Sequence, residues 1–307
     1  MTTAVLDNTR VSKHLGQTSE YKDQYDPTLL VREPRINNRT HLDIQDDDLP
    51  FEGYDIWNAY EVSGLTRTGL PVAGIAKIVY PCNSEYIVES KSIKLYFNSF
   101  NMYKCGGDSD DVLSSIAHAA EKDLSTLLET RVSINIEKAS GRANRDTLFR
   151  GECYHTLEDM ITSEEIMGMT VDTYNETPEL LLSNMYETDD STVDRYHSSL
   201  LKSNCRVTSQ PDWGDVFIYM DSKKHISPIN LLKYIISFRD ECHFHEEICE
   251  TIYKRIYDYF SPAGLAVTCL YARRGGIDIN PVRASDKSLI SKELIDHHIM
   301  HAKTPKQ

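Results

Sequence analysis

The stretch "LKSNCRVTSQPDWGD", Leu201–Asp215, sets one cysteine seven residues ahead of an aspartate. A thiol of ordinary pKa, about 8.5, is only a few per cent thiolate at neutral pH, so a nucleophilic cysteine needs a polar, partly exposed setting. Cys205 has one, beside Ser203, Asn204, Arg206 and Thr208, whereas Cys269 in "LAVTCLYA" is surrounded by apolar residues. Lowering a thiol pKa by ~1.5 units takes ~2 kcal/mol, within reach of an arginine and a few backbone N–H groups. Asp212 follows a proline and precedes Trp213. Desolvation beside that ring would raise its carboxyl pKa, as a general acid requires. "PDWG" is equally a β-turn, and Cys205 equally a core thiol or a metal ligand. The stretch alone leaves these readings open.

Three further stretches carry groups of the right kinds. "FRDECHFHEE" gathers His243, His245, Glu246 and Glu247, suited to a metal or to a polar heterocycle. Zinc needs three or four ligands, and no CxxC pair supplies the rest. If a helix starts here, His245 and Glu246 point in different directions. "YIVESKSIKLY" packs Glu89, Lys91 and Lys94 around Ser90 and Ser92. A glutamate accepts a paired donor edge such as the N1–H and 2-amino group of a guanine-like base, and lysines suit phosphates. In "YARRGGIDINP" Arg273 and Arg274 precede Gly275 and Gly276, where backbone can approach an anion closely, although this is neither GxGxxG nor a P-loop. The tail "DHHIMH" spaces His297 and His301 at i, i+4, as in a solvated terminal helix or an adventitious chelator.

These groups must be held by a core, and 307 residues are enough for two ordinary domains or one large one. No run of roughly 18 apolar residues exists to span a bilayer, and the N-terminus has no apolar signal-peptide core. The expectation is a cytoplasmic protein. Seven cysteines with scattered spacing argue against a secreted disulfide framework. A net charge of −14 disfavours nucleic acid, so small molecules are the expected partners.

A weak internal repeat aligns residues 69–101 with 209–240, Pro71 answering Pro211 and "NSFN" answering "SFRD". Each copy opens on an alternating run, "AGIAKIVY" or "GDVFIYM", followed by a segment carrying Leu95, Tyr96, Phe97 and Phe100, or Leu231, Leu232, Tyr234, Ile235 and Phe238. A helical spacing follows, Val112, Ile116, Ala120, Leu124 and Leu127 in one copy, Ile248, Ile252, Ile256 and Tyr259 in the other. Each closes with a strand, "RVSINIE" or "LAVTCLYA". The pattern predicts two strand–strand–helix–strand units in one pseudo-symmetric α+β protein. The divisions expected are an N-terminal arm 1–45, a first module 46–140, an acidic connector 141–195, a second module 196–283 and a partly helical tail 284–307.

Taken together, "ESKSIKLYFNSF", "LKSNCRVTSQPDWG", "SFRDECHFHEE" and "RRGGIDINP", in that order, closely resemble the long two-module form of the NADPH-dependent 7-cyano-7-deazaguanine reductases, nitrile reductases of queuosine biosynthesis. The likeness runs from about residue 15 to 283. It implies tandem tunnelling-fold modules, antiparallel sheets with helices packed on one face, in a homodimer. It also implies that Cys205 attacks the nitrile carbon to form a thioimide and that Asp212 protonates the nitrogen. By the same likeness Val88, Glu89, Ser90, His245 and Glu246 hold the deazaguanine, Ser90, Lys91, Arg274 and Gly275 hold NADPH, and no metal takes part. Cys242 becomes a possible redox partner of Cys205. The rival is a zinc-dependent purine or pterin enzyme of the same fold, like GTP cyclohydrolase, against which the missing spaced cysteine/histidine ligand set speaks.

Overall fold

The computed structural model describes residues 24–139, 145–146, 153–301 and 303–307. The opening part of the N-terminal arm and residues 141–144 and 147–152 of the connector lie outside them. Eight main strands, β1 (Glu52–Thr66), β2 (Pro71–Pro81), β3 (Tyr86–Val88), β4 (Ser133–Lys138), β5 (Tyr186–Asn204), β6 (Pro211–His225), β7 (Gly264–Tyr271) and β8 (Ile277–Ala284), carry the architecture. The helices that matter are α1 (Ser90–Asn98), α2 (Ser109–Leu128), α3 (Pro228–Ile236), α4 (His245–Phe260) and the short α5 (Lys292–Ile295).

Seven of the strands join in the order β4-β2-β1-β8-β7-β6-β5, within a nine-stranded sheet completed by the short pieces His155–Thr156 and Lys104–Gly106. All six junctions between these seven are antiparallel. The protein is therefore α+β and dominated by antiparallel pairing. The order is also repetitive: hairpin β1–β2, helices α1 and α2, then β4 beside β2; hairpin β5–β6, helices α3 and α4, then β7 beside β6. Strand β8 pairs with both β7 and β1 and so fuses the two sets.

The two segments read as second strands are helices. Residues 90–98 bury Ser92, Ile93, Tyr96 and Phe97, and 228–236 bury Leu231, Leu232, Tyr234 and Ile235. Those positions recur every three or four residues, the period of a helix, and Pro228 in the first turn of α3 suits a helix start. Short apolar runs are ambiguous between the two states, and here the start signals decide. The i, i+4 spacing of His297 and His301 is not helical either, since α5 ends at Ile295 and His297 lies against His298.

Both faces of the sheet are covered. On the helix side Ile218, Met220, Ile248, Ile252, Ile256 and Val267 belong to one apolar cluster and Trp57, Ile78, Ile93, Phe97, Ile116 and Leu124 to another. Each fully buried aliphatic or aromatic side chain contributes about 1.5–3 kcal/mol. Leu42, Ile44, Phe51 and Cys82 sit in the first cluster, while Ile277 and Ile279 of β8 sit in the second, so the halves interlock. On the opposite face Ile290 and Leu294 from the tail cover Ile56, Val79, Leu270 and Val282.

A buried charge network ties the arm to this core. Arg283 of β8 reaches Asp55 of β1 at 2.9 Å and Glu250 of α4 at 2.9 Å. Arg39 donates to Glu250 at 2.8 Å, and Arg35 pairs with Asp55. Burial alone would raise the Glu250 carboxyl, but the guanidiniums of Arg283, Arg39 and Arg35 outweigh it and hold it at about 2. Glu250 lies one helical turn beyond Glu246, so this network is the floor beneath the start of α4.

Candidate active site

Strand β3 ends at Val88, and the next residue caps α1. The Glu89 carboxylate accepts the N–H of Lys91 at 3.0 Å and of Ser92 at 2.8 Å, satisfying two of the donors a helix start leaves unpaired. Each oxygen keeps a further acceptor site in a rigid position. The side chain is 2 % exposed. Residues 205–210 form the loop of the β5–β6 hairpin, closed by Cys205 N–H to Gln210 O at 2.8 Å and Ser209 N–H to Cys205 O at 2.9 Å. The Cys205 thiol is free and half-buried.

Asp212 opens β6 and is 2 % exposed. It ion-pairs with Arg274 and faces His245 Nε2 at 3.5 Å. Burial would raise its carboxyl, but the His245 imidazole and the Arg274 guanidinium outweigh burial and hold it below the usual carboxylate range. This reverses the expectation drawn from Trp213. Neighbours in a strand point to opposite faces, and Trp213 lies on the far side, 39 % exposed, under Arg239 and Lys306. Arg206 is likewise engaged elsewhere, 2.8 Å from Glu247.

The turn between β7 and β8 brings Arg274 over Asp212, and its second nitrogen donates to Gln210 Oε1 at 2.7 Å. Gly275 has φ +57 and Gly276 φ +80, a left-handed backbone that glycine adopts freely. A Cβ on Gly275 would meet Lys94 Nζ at 3.4 Å. Helix α4 starts at His245, whose ring packs on Tyr271 at 4.0 Å between centroids.

One cavity of about 190 Å³ collects these groups: Glu89, Ser90, Lys91, Cys205, Asp212, His245, Arg274 and Gly275 line it. Val88 is buried in the core beside it, paired across to Arg32. Glu246 is buried and does not line the cavity; its Oε1 has no hydrogen-bond partner among the described residues. Desolvation, reinforced by the charge of Asp55, pushes that carboxyl up to about 8. His243 lies outside the cavity, where Glu241 at 3.1 Å and Glu247 at 3.3 Å outweigh burial and raise it to about 9. Cys242 is exposed, and its backbone bridges to Asn204, next to Cys205.

Lys94, Thr208, Ala272, Ile277 and Ile279 also line the cavity. Lys94, read with Lys91 in the sequence as suited to phosphates, follows it by three residues and so shares its helix face. Thr208 and the two isoleucines carry no chemical signature. A larger cavity of about 480 Å³, between Tyr25, Arg67, Tyr103 and Lys104, holds none of the anticipated residues. Among the described residues no group of three or more His, Cys, Asp or Glu is placed to hold a metal, and no helix is long and apolar enough to cross a membrane.

A thiol, a carboxylate held between an imidazole and a guanidinium, and two lysines surround one small cavity, a set of groups suited to a polar small molecule beside an anionic one. The family described as nitrile reductase, 7-cyano-7-deazaguanine-reductase N-term, matches residues 21–136, and QueF-like protein matches 211–289. The NADPH-dependent 7-cyano-7-deazaguanine reductase of Legionella pneumophila (strain Lens) is 37% identical over 284 residues, 92% of this chain and 93% of that protein. That of Rickettsia massiliae (strain Mtu5) is 39% identical over 285 residues, 89% and 93% respectively. Among solved structures, the archaeosine synthase QueF-Like in the apo form matches with TM-score 0.28 and 15% identity, over 32% of this chain and 95% of that one. The chain belongs to the NADPH-dependent 7-cyano-7-deazaguanine reductase family.

Proposed function

We propose that this protein reduces the nitrile of 7-cyano-7-deazaguanine to the aminomethyl group of 7-aminomethyl-7-deazaguanine with NADPH, in queuosine biosynthesis, through a thioimide on Cys205. The observation that carries the mechanism is the convergence of Cys205, Asp212 and Glu89 on one cavity. A nitrile is a poor hydride acceptor, and addition of a thiolate turns it into a C=N that accepts hydride once protonated.

The low pKa of Asp212 fits this chemistry better than a permanently protonated acid would. As a carboxylate it takes the proton of the Cys205 thiol while sulfur bonds to the nitrile carbon, then gives that proton to the nitrile nitrogen. Thiol plus nitrile thus becomes thioimide with no proton from outside. His245, 3.5 Å away, and Arg274 steady the carboxylate, and His245 is placed to return protons to it in later steps.

Glu89 is set to accept the N1–H and 2-amino donors of the deazaguanine. Val88, Ser90 and Glu246 complete the recognition of the ring, with Val88 and Glu246 acting from just behind the lining residues Glu89 and His245. At about 190 Å³ the cavity falls below the roughly 300–1,000 Å³ of drug-sized sites, so it suits the base and is too small to enclose a dinucleotide as well. Ser90, Lys91, Lys94, Arg274 and Gly275 would hold NADPH; the donor set fits, since three cations and a left-handed glycine suit phosphate. Bound NADPH supplies hydride, twice per nitrile.

We further read the twofold order of hairpin, helices and strand as tandem tunnelling-fold modules, 46–140 and 196–283, in a cytoplasmic homodimer. The catalytic reading is tested by mixing protein with 7-cyano-7-deazaguanine and following NADPH absorbance. Two NADPH should be oxidised per nitrile, and none by Cys205→Ala. Unchanged turnover in the alanine variant would overturn it.

A further inference from the structure

The turn that presents Arg274 is held from behind by side chains that the chemistry leaves unused. It is closed by Arg274 N–H to Ile277 O at 2.8 Å and Ile277 N–H to Arg274 O at 3.1 Å, and Tyr60 N–H donates to Gly276 O at 2.8 Å. Two successive glycines would otherwise leave this turn many conformations. Arg273 does not line the cavity. Its guanidinium carbon lies 3.3 Å from the centroid of the Tyr60 ring.

Tyr60 is fixed in turn. Its hydroxyl donates to Asp278 Oδ2 at 2.5 Å, and Asp278, 1 % exposed, accepts at its other oxygen from Asn58 and Asn280 at 2.6 and 2.7 Å. Lys303 reaches the same carboxylate at 3.2 Å and lies 5.6 Å from the Tyr60 centroid. The segment bearing Lys303 is anchored on the sheet. Buried Lys77 donates to the carbonyl oxygens of Glu293, Asp296 and Ile299 at 3.0, 2.8 and 2.6 Å. Lys306 donates to those of Ser199 and Gly214.

We infer that the C-terminal segment is a strap of the active site: through Asp278 and Tyr60 it holds Arg273, and with it the Arg274–Gly275 turn, where NADPH phosphates are received. Tyr60, Arg273 and Lys303 are positioning residues. The inference rests on the cofactor reading above. A guanidinium stacked on a partly buried ring biases a turn by about five- to thirtyfold, and a turn already in place spares that ordering cost when the cofactor binds.

The test reads NADPH binding by nicotinamide fluorescence without nitrile, and deuterium uptake across residues 272–277 without NADPH, in the full chain and in Tyr60→Ala, Tyr60→Phe and Lys303→Ala. Tyr60→Ala should weaken NADPH about tenfold and speed exchange at Arg274 and Ile277, with the KM for nitrile unchanged. Lys303→Ala should shift both readouts the same way by less. Tyr60→Phe keeps the ring under Arg273 but loses the bond to Asp278, so it should weaken NADPH and speed exchange in the same direction as Tyr60→Ala, by less. The strap is refuted if Tyr60→Ala and Lys303→Ala bind NADPH within twofold of the full chain with unchanged exchange, or if Tyr60→Phe, which cuts the link to Asp278, matches the full chain in both readouts. If Tyr60→Ala does not fold, the change at Lys303, which lies in the terminal segment outside the sheet, still decides. A full chain that binds no NADPH would sink the cofactor reading instead, and the exchange measurement would still judge the strap.

Discussion

Asp212 shows how one carboxylate can serve as base and acid in succession. Buried between His245 and Arg274, it starts ionised and has a thiol proton to collect. Asp212→Asn preserves the shape and removes the shuttle, so the thioimide should form about 10²–10⁴-fold more slowly, read by stopped-flow mixing with the nitrile. Glu246 behaves oppositely. Its carboxyl is pushed up to about 8, so between the ordinary value of about 4.3 and that point the unfolded chain has lost a proton that the folded chain keeps. Stability therefore declines as pH rises through this window and levels off above it. In Glu246→Gln the unfolding midpoint should fall less steeply between pH 5 and 8. The residue types at both sites were legible in the sequence. What Trp213 does to Asp212 was legible too, had the alternation of a strand been applied to neighbours, for it sends the indole to the opposite face.

At the scale of elements, α1 is both scaffold and binding surface, because its cap is the glutamate offered to the substrate. Glu89→Gln retains an oxygen for the cap but turns a donor toward the donors of the base. Its melting temperature should stay near that of the native chain while the KM for nitrile rises. Glu89→Ala should lose the cap as well, about 1 kcal/mol by denaturant titration. Equal thermal losses in both variants, with no change in KM, would contradict this dual role. The strand runs "AGIAKIVY" and "GDVFIYM" and the spacing of α2 and α4 could be read directly, because alternation and a long 3.6-residue period are unambiguous. Helices α1 and α3 could not be read from apolar spacing alone, since runs of so few residues fit either period. Their signals were Glu89 and Pro228.

For the whole molecule, the internal repeat anticipated the twofold order of elements but not how the two sets are fused. That task falls to β8, to Phe51 and Cys82 crossing into the opposite cluster, and to the arginines of the arm, which pair with Asp55 and Glu250. Long-range pairs such as Arg39 with Glu250 leave no local pattern in a single sequence. Glu250 is held at about 2. Between its ordinary value of about 4.3 and about 2, the unfolded chain takes up a proton that the folded chain refuses, so stability is lost as pH falls through that window. Glu250→Gln should flatten acid unfolding there. At neutral pH it should cost about 3–5 kcal/mol by denaturant titration, since three buried arginines, Arg35, Arg39 and Arg283, lose a shared carboxylate and the cluster is left with an uncompensated positive charge.

Cys205 Sγ is the atom proposed to capture the nitrile, and intact-mass analysis of protein mixed with 7-cyano-7-deazaguanine, without NADPH, reads this directly. The native chain should gain the full mass of one nitrile with nothing lost, mapped to the peptide bearing Cys205, and Cys205→Ala should gain none. An adduct on one of the other six cysteines, or steady turnover by the native chain with no adduct at any time, would contradict the account.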